Sequence, residues 1–282
     1  MNDEKWDIVI YPKSSWFNLK LGEVWKFRDL IFMFIKRDFI AQYKQTILGP
    51  IWFIIQPLIT TITYLVVFGS IANLSTDGQP KILFYMCGVL FWNFFSTSFL
   101  RTSETFSANA GMFGKVYFPR LTVPISSVLS SFIAFFIQFV LLIVILSYYV
   151  INGFSPDWNY TILLLPYLLL LMSAQALGFG IIISSMTTKY RDLKYLVTFG
   201  VQLLMYATPV VYPLSMIEDR RLALLLELNP MTALIETFRF ALLGSGTFSW
   251  EALIYSSLAS FFVLLLGIAI FNKVEKTFMD TI

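Results

Sequence analysis

Charged positions are unevenly spread along the chain, and six long stretches carry none. They run over residues 45–76, 82–100, 121–156, 158–188, 195–217 and 252–272. The shortest is 19 residues, and no other uncharged run exceeds 11. A helix that crosses a bilayer needs about 20 mostly apolar residues, so six spans are predicted. Two spans and a turn inside 121–156 would need about 40 residues, so that run counts once. Backbone polar groups find no water in hydrocarbon, which predicts helices rather than open strands. The alternation over about 10 residues that marks barrel strands is missing. Pro50, Pro57, Pro166 and Pro209 fall in or beside spans. They read as helix starts or as kinks covered by neighbouring helices.

Three segments outside the spans have patterns of their own. In Gly22–Thr46, the apolar Val24, Trp25, Phe27, Leu30, Ile31, Phe34 and Ile35 recur at helical spacing among Lys26, Arg28, Asp29, Lys36, Arg37 and Asp38. This predicts an amphipathic helix in the inner membrane interface; a soluble helix against a partner is the alternative. Thr105–Arg120 and Thr187–Lys194 are short and basic. Each reads as a turn or as a short helix gripped by a partner. Leu214–Ser249 holds two apolar pieces around Asn229-Pro230, ending at Gly244-Ser245-Gly246. Neither piece is long enough to span, which predicts a re-entrant helical hairpin, with flat interfacial helices as the alternative. The predicted division is a leader and interface helix over 1–46, a six-span domain over 47–273 with its re-entrant segment at about 218–246, and a tail over 274–282. The class is all-α integral membrane.

Composition agrees with the pattern. The chain has 282 residues, 57% apolar and 13% charged. Soluble domains run nearer about 45–50% apolar and about 25% charged. That difference excludes an ordinary soluble enzyme, a disordered chain and a nucleic-acid binder. The net charge of +3 says little, but its distribution says more. With the amino terminus cytoplasmic, 16 of the 20 Lys and Arg residues fall on the cytoplasmic side; only Lys81, Arg220, Arg221 and Arg239 fall outside. Positive charge stays inside, so both termini are predicted to be cytoplasmic. Met1–Asp7 contains no apolar core of signal-peptide type, which predicts insertion through internal segments.

Little here points to bond chemistry. There is no histidine, which removes a Ser–His–Asp triad and the commonest metal ligand. The single Cys87 sits in an apolar run and reads as a buried filler. Gly111-Met112-Phe113-Gly114-Lys115-Val116 has the wrong spacing for a phosphate-cradling Gly-rich loop and lacks its hydroxyl residue. The centres of the spans carry no carboxylate, which disfavours ion coupling. Energy is therefore expected from a separate chain. What remains in the spans is uncharged polarity. Trp52, Gln56, Thr60, Thr63 and Tyr64 form one stripe; Thr198, Gln202, Met205, Tyr206, Pro209 and Tyr212 form another. Ser127, Ser130, Ser131, Ala134 and Gln138 form a third, which reads as helix packing. The first two suit either packing or a wet path. Aromatic faces cover sugar C–H surfaces, and amides and hydroxyls bond to sugar hydroxyls, without fixed charge.

Three strings carry a family likeness. Arg37-Asp38-Phe39…Tyr43-Lys44-Gln45-Thr46-Ile47-Leu48-Gly49-Pro50-Ile51-Trp52 resembles the entrance motif of polysaccharide and teichoic-acid ABC exporter permeases. Tyr190-Arg191-Asp192-Leu193 with Thr208-Pro209-Val210-Val211-Tyr212-Pro213 is similar to their fifth-span segment. Asn229-Pro230-Met231-Thr232…Glu236…Arg239…Gly244 is similar to their outer re-entrant segment. The resemblance implies a permease in the bacterial inner membrane that pairs with a second copy and with two cytoplasmic ATPase chains. It implies export of a lipid-linked glycan, O-antigen ahead of capsule or teichoic acid, with ATP and Mg bound by the ATPase and no cofactor on this chain. A permease for a small lipid or drug is the alternative. Carried onto this sequence, Arg37, Tyr43 and Lys44 would meet lipid or substrate headgroups. Trp52, Gln56, Thr60, Tyr64, Gln202, Tyr206 and Tyr212 would line the channel. Lys115, Tyr117, Arg120, Arg191 and Asp192 would couple to the ATPase. Asn229, Pro230, Glu236 and Arg239 would form the outer gate.

Overall fold

The apolar runs become helices arranged around one of their number. The computed structural model describes residues 21–44, 46–187, 190 and 192–277. Most of the leader, residues 1–20, and the tail residues 278–282 lie outside the described residues. The chain begins with α1 (Leu21–Lys26) and α2 (Arg28–Tyr43), then enters α3 (Trp52–Tyr64), which continues through a wider π-helical turn, Leu65–Ile71. Then come α4 (Lys81–Ser103), the short α5 (Thr105–Phe113), α6 (Thr122–Ile151) and α7 (Leu165–Thr187). The remaining helices are α8 (Leu193–Tyr206), α9 (Arg220–Glu227), α10 (Pro230–Leu243) and α11 (Trp250–Thr277).

Among the described residues, five helices are long and apolar enough to cross a membrane: Gly49–Ile71, Lys81–Ser103, Thr122–Ile151, Tyr160–Thr187 and Trp250–Glu275. They match five of the six predicted spans. The sixth stretch, 195–217, differs: its helix α8 has 14 residues and stops at Tyr206. Turns follow through Tyr212, because Pro209 cannot donate the next backbone hydrogen bond and disfavours helix in the residue before it. Pro57, by contrast, lies buried inside α3 without ending it.

Helix α4 is the hub. It packs against α3, α6, α7, α8 and α10, and 16 of its 23 residues are buried. Its aromatic rings key into the neighbours: Phe91 stacks on Phe238 of α10 at 4.5 Å, and Phe94 meets Phe132 and Phe135 of α6 edge-on at 4.9 and 5.3 Å. Offset and edge-on pairs of this kind add to the area they bury. Helix α11 lies along α7, where glycine allows close approach: a Cβ on Gly178 would stand 2.9 Å from the Leu264 backbone. The serine stripe of α6 is buried as predicted, with Ser127 donating to Val123 O at 3.1 Å and Ser131 to Ser127 O at 3.1 Å. Cys87 is buried too.

A second core closes one end of the bundle. Val24, Ile31 and Phe34 of α1 and α2 join Phe106 and Phe113 of α5, Phe118, and Phe271 of α11. Helix α2 therefore packs on its own chain, chiefly on α6. The apolar residues of α1 and α2 do not form a single stripe, since Trp25 of α1 and Phe32 and Met33 of α2 stay exposed.

Candidate functional site: an uncovered α3–α8 face and a pinned break

Helices α3 and α8 meet where the Tyr64 hydroxyl donates to the Met205 sulfur at 3.1 Å. Beyond that contact both are poorly covered. Only Pro57 and Thr61 of α3 are buried, and only Val201 of α8. Of the residues predicted to line a channel, Gln56, Gln202, Trp52 (46% exposed) and Tyr206 (52% exposed) lie on this open face. Thr60 and Tyr64 are half-buried, and Thr60 spends its hydroxyl on Gln56 O at 3.0 Å. Tyr212 folds back so that its hydroxyl donates to Tyr206 O at 2.9 Å. The stripe is thus an outer face of one chain rather than a lumen within it. Its side chains are aromatic, amide, hydroxyl and aliphatic.

The far end of α8 is fastened in place. Asn229 caps α10, its side-chain oxygen accepting from Met231 N at 3.0 Å, and Pro230 occupies the first helical position. The same amide donates to Thr208 Oγ1 at 2.9 Å and to Ala207 O at 3.3 Å. Midway along α10, Glu236 accepts from Arg239 at 2.7 Å, with both side chains all but inaccessible. Arg239 also donates to the carbonyls of Pro209 (2.9 Å) and Val210 (3.2 Å) and lies over the Phe84 ring at 3.8 Å. The second Glu236 oxygen accepts from Thr247 N at 3.2 Å. A buried charge persists only when paired and hydrogen-bonded, and this arginine is both. Gly88 of α4 completes the clamp, because a Cβ there would overlap the Val210 carbonyl oxygen. The i, i+3 spacing of Glu236 and Arg239 on α10 suits their pairing. It could not show that the arginine holds carbonyls 29 and 30 residues away.

At the α2 end, Arg37 pairs with its neighbour Asp38 at 2.8 Å and lies 4.7 Å over Phe34. Lys44 is exposed beyond the end of α2. The Tyr43 side chain and Arg191 lie outside the described residues. Lys115 and Tyr117 are exposed. Arg120 is not: it donates to Glu275 O at 2.6 Å and sits 5.5 Å over Phe113, tying the 114–121 loop to the end of α11. Burial pushes its guanidinium below the usual arginine range, and Glu275 opposes that shift. Asp192 is exposed at the start of α8. Beside it, Lys194 reaches Glu104 of the α4 C-terminus at 2.7 Å, while Arg101 turns to Ser130 at 3.4 Å. Arg101 and Glu104 stand three residues apart at the end of α4, and their partners lie on α6 and α8.

Comparison with known proteins agrees with this architecture. Two relatives are each named O-antigen export system permease protein RfbA. The one from Klebsiella pneumoniae is 27% identical over 254 residues, covering 89% of this chain and 94% of the relative. The one from Myxococcus xanthus is 27% identical over 261 residues, covering 92% and 98%. The ABC-2 type transporter family model matches residues 29–243, from the start of α2 to the end of α10. This chain, a helical bundle with several bilayer-length helices that the family model matches from α2 through the hub to the pinned break, belongs to the ABC-2 type transporter family.

Proposed function

We propose that this chain is the permease subunit of an ATP-driven exporter that moves a lipid-linked surface polysaccharide, O-antigen, from the cytoplasm across the inner membrane. The relatives' names support the substrate class. The observation that carries the reading is the open α3–α8 face, with Gln56, Gln202 and Tyr206 exposed and no charged side chain along its middle. A hydroxyl-rich polymer can slide over amides and rings through many weak contacts, each made and broken with little penalty. A fixed charge would hold it.

In this reading two copies face each other across that surface and enclose the path. Helix α8 is the sixth crossing, completed by the pinned turns through Tyr212. The α9–α10 pair enters the membrane from outside and returns, its turn shielded by protein. Both termini are cytoplasmic, and Lys115, Tyr117 and Asp192 lie at the end where a pair of ATPase chains docks. ATP and Mg belong to those chains. Helices α1 and α2 rest the exposed Trp25, Phe32 and Met33 among lipid headgroups, near Arg37 and Lys44.

Deletion with complementation tests the reading. Loss of the chain is expected to remove surface glycan and leave its lipid-linked precursor inside, and the intact chain restores export. Unchanged surface glycan, with a small lipid or drug retained instead, would replace the polymer with the smaller cargo.

A further inference from the structure

A cavity lies at the α9–α10 end of the bundle. It holds about 590 Å³ between α9, α10 and the first turns of α11. Sites for small ligands commonly span about 300–1,000 Å³, with apolar walls and few polar groups. Leu214, Leu224, Leu228 and Tyr255 form much of the wall. The polar lining is one-sided in charge: Glu227, Glu236 and Glu251 are present, and no Lys or Arg is.

These three carboxylates differ. Glu236 is already answered by Arg239 and by Thr247 N. Glu227 and Glu251 are exposed and make no side-chain hydrogen bond or ion pair among the described residues. Glu251 has a local reason to be there, since an acid in the first turn of α11 suits the helix dipole. Glu227 has none. It is the last residue of α9, where a carboxylate opposes the dipole. Two carboxylates without an intrachain partner among the described residues therefore stand above a leucine wall.

We propose that this cavity binds a phospholipid with a primary-ammonium headgroup, its ammonium between Glu227 and Glu251 and the start of an acyl chain along Leu214, Leu224 and Leu228. An ammonium N–H makes charge-assisted hydrogen bonds to carboxylates. A bare cation would leave the leucine wall unfilled, and a sugar would set its hydroxyls against it. Helix α9 carries more exposed leucine at Leu222 and Leu225, which suits an element lying in lipid. The Tyr255 hydroxyl donates to Leu228 O at 2.8 Å, fixing α11 to the end of α9 and keeping the cavity formed. The site rests on the chain's membrane placement alone and not on the identity of the exported cargo.

Native mass spectrometry of the full chain, purified from an equimolar mixture of phosphatidylethanolamine and phosphatidylglycerol with matched acyl chains, tests the site without any export assay. About fivefold preferential retention of phosphatidylethanolamine is expected from two exposed ion pairs. Glu227→Gln with Glu251→Gln should bring the ratio to about one; both positions are exposed and the exchange is isosteric, so the fold is retained. Leu224→Trp, which fills the cavity, should lower retention of both lipids. A ratio of one in the unaltered chain, or a preference that survives the double exchange, overturns the proposal. So does unchanged retention in Leu224→Trp. Displacement by free ethanolamine as readily as by the lipid would make this an amine site, and displacement by an uncharged disaccharide would make it a sugar site; either overturns the lipid.

Discussion

Helices α4 and α8 are similar in kind and opposite in placement. Both are uncharged along their middle and rich in aromatic residues. Yet α4 buries 16 of 23 residues and packs against helices on all sides, whereas α8 buries Val201 alone and is held at its two ends. In water, hydrophobicity would have told core from surface. In a bilayer it cannot, because lipid tails are as apolar as leucine. What separates the two helices is the quality of the uncovered residues. The open face of α8 keeps Thr198, Gln202 and Tyr206, which are costly against lipid and useful against a hydrated partner.

The contrast breaks most sharply at the pin. Arg239→Met would leave Glu236 buried without its cation and release the Pro209 and Val210 carbonyls. It should destabilise the chain by about 3–5 kcal/mol, read as a lowered thermal midpoint in detergent. Replacing both partners, Glu236→Leu with Arg239→Met, should cost less than Arg239→Met alone, because no charge is stranded. Next comes the clamp on α4. Gly88→Val forces a side chain into the Val210 carbonyl and should cost about 1–3 kcal/mol by the same measurement. An equal effect from Gly200→Val on α8, where nothing lies within 4 Å, would erase the distinction between the two helices.

The open face should answer in transport and not in stability. Gln56→Leu with Tyr206→Ala removes two weak contacts of about 1 kcal/mol each and should lower export on the order of tenfold. Membrane level and thermal midpoint should hold. Normal export in that pair would return the stripe to simple lipid contact. The smallest effect is expected at the tether of α8. Lys194 and Glu104 are partly exposed at 55% and 37%, so Lys194→Ala should cost under about 1 kcal/mol and lose its effect in high salt. A larger, salt-independent loss would mean that the tether positions α8 as firmly as the pin does.

Sequence and structure agree best where one physical rule acts alone. Five spans are legible because uncharged length is a direct consequence of bilayer thickness. The Asn229-Pro230 break is legible because capping chemistry is local, and Asn229 does cap α10. The predicted sixth span is half right: its uncharged run is real, but the helix ends at Tyr206 ahead of Pro209. Length counts charges and is blind to where the backbone turns. The resemblance sets Arg120 with Lys115 and Tyr117 against the ATPase, and the structure adds a bond from Arg120 to Glu275 O within the chain. Positive charge near a span end signals the cytoplasmic side without saying what it touches.

The residues by themselves therefore determined that this chain is helical and lives in a membrane, because charge spacing is a property of the chain read in order. Only the tertiary structure decided which uncharged helix is the hub and which is left open. It alone joined Arg239 to Pro209 and Val210, and gathered Glu227, Glu236 and Glu251 around one cavity. Those outcomes depend on which faces meet across tens of residues. In a solvent as apolar as the side chains, hydropathy carries no record of that choice.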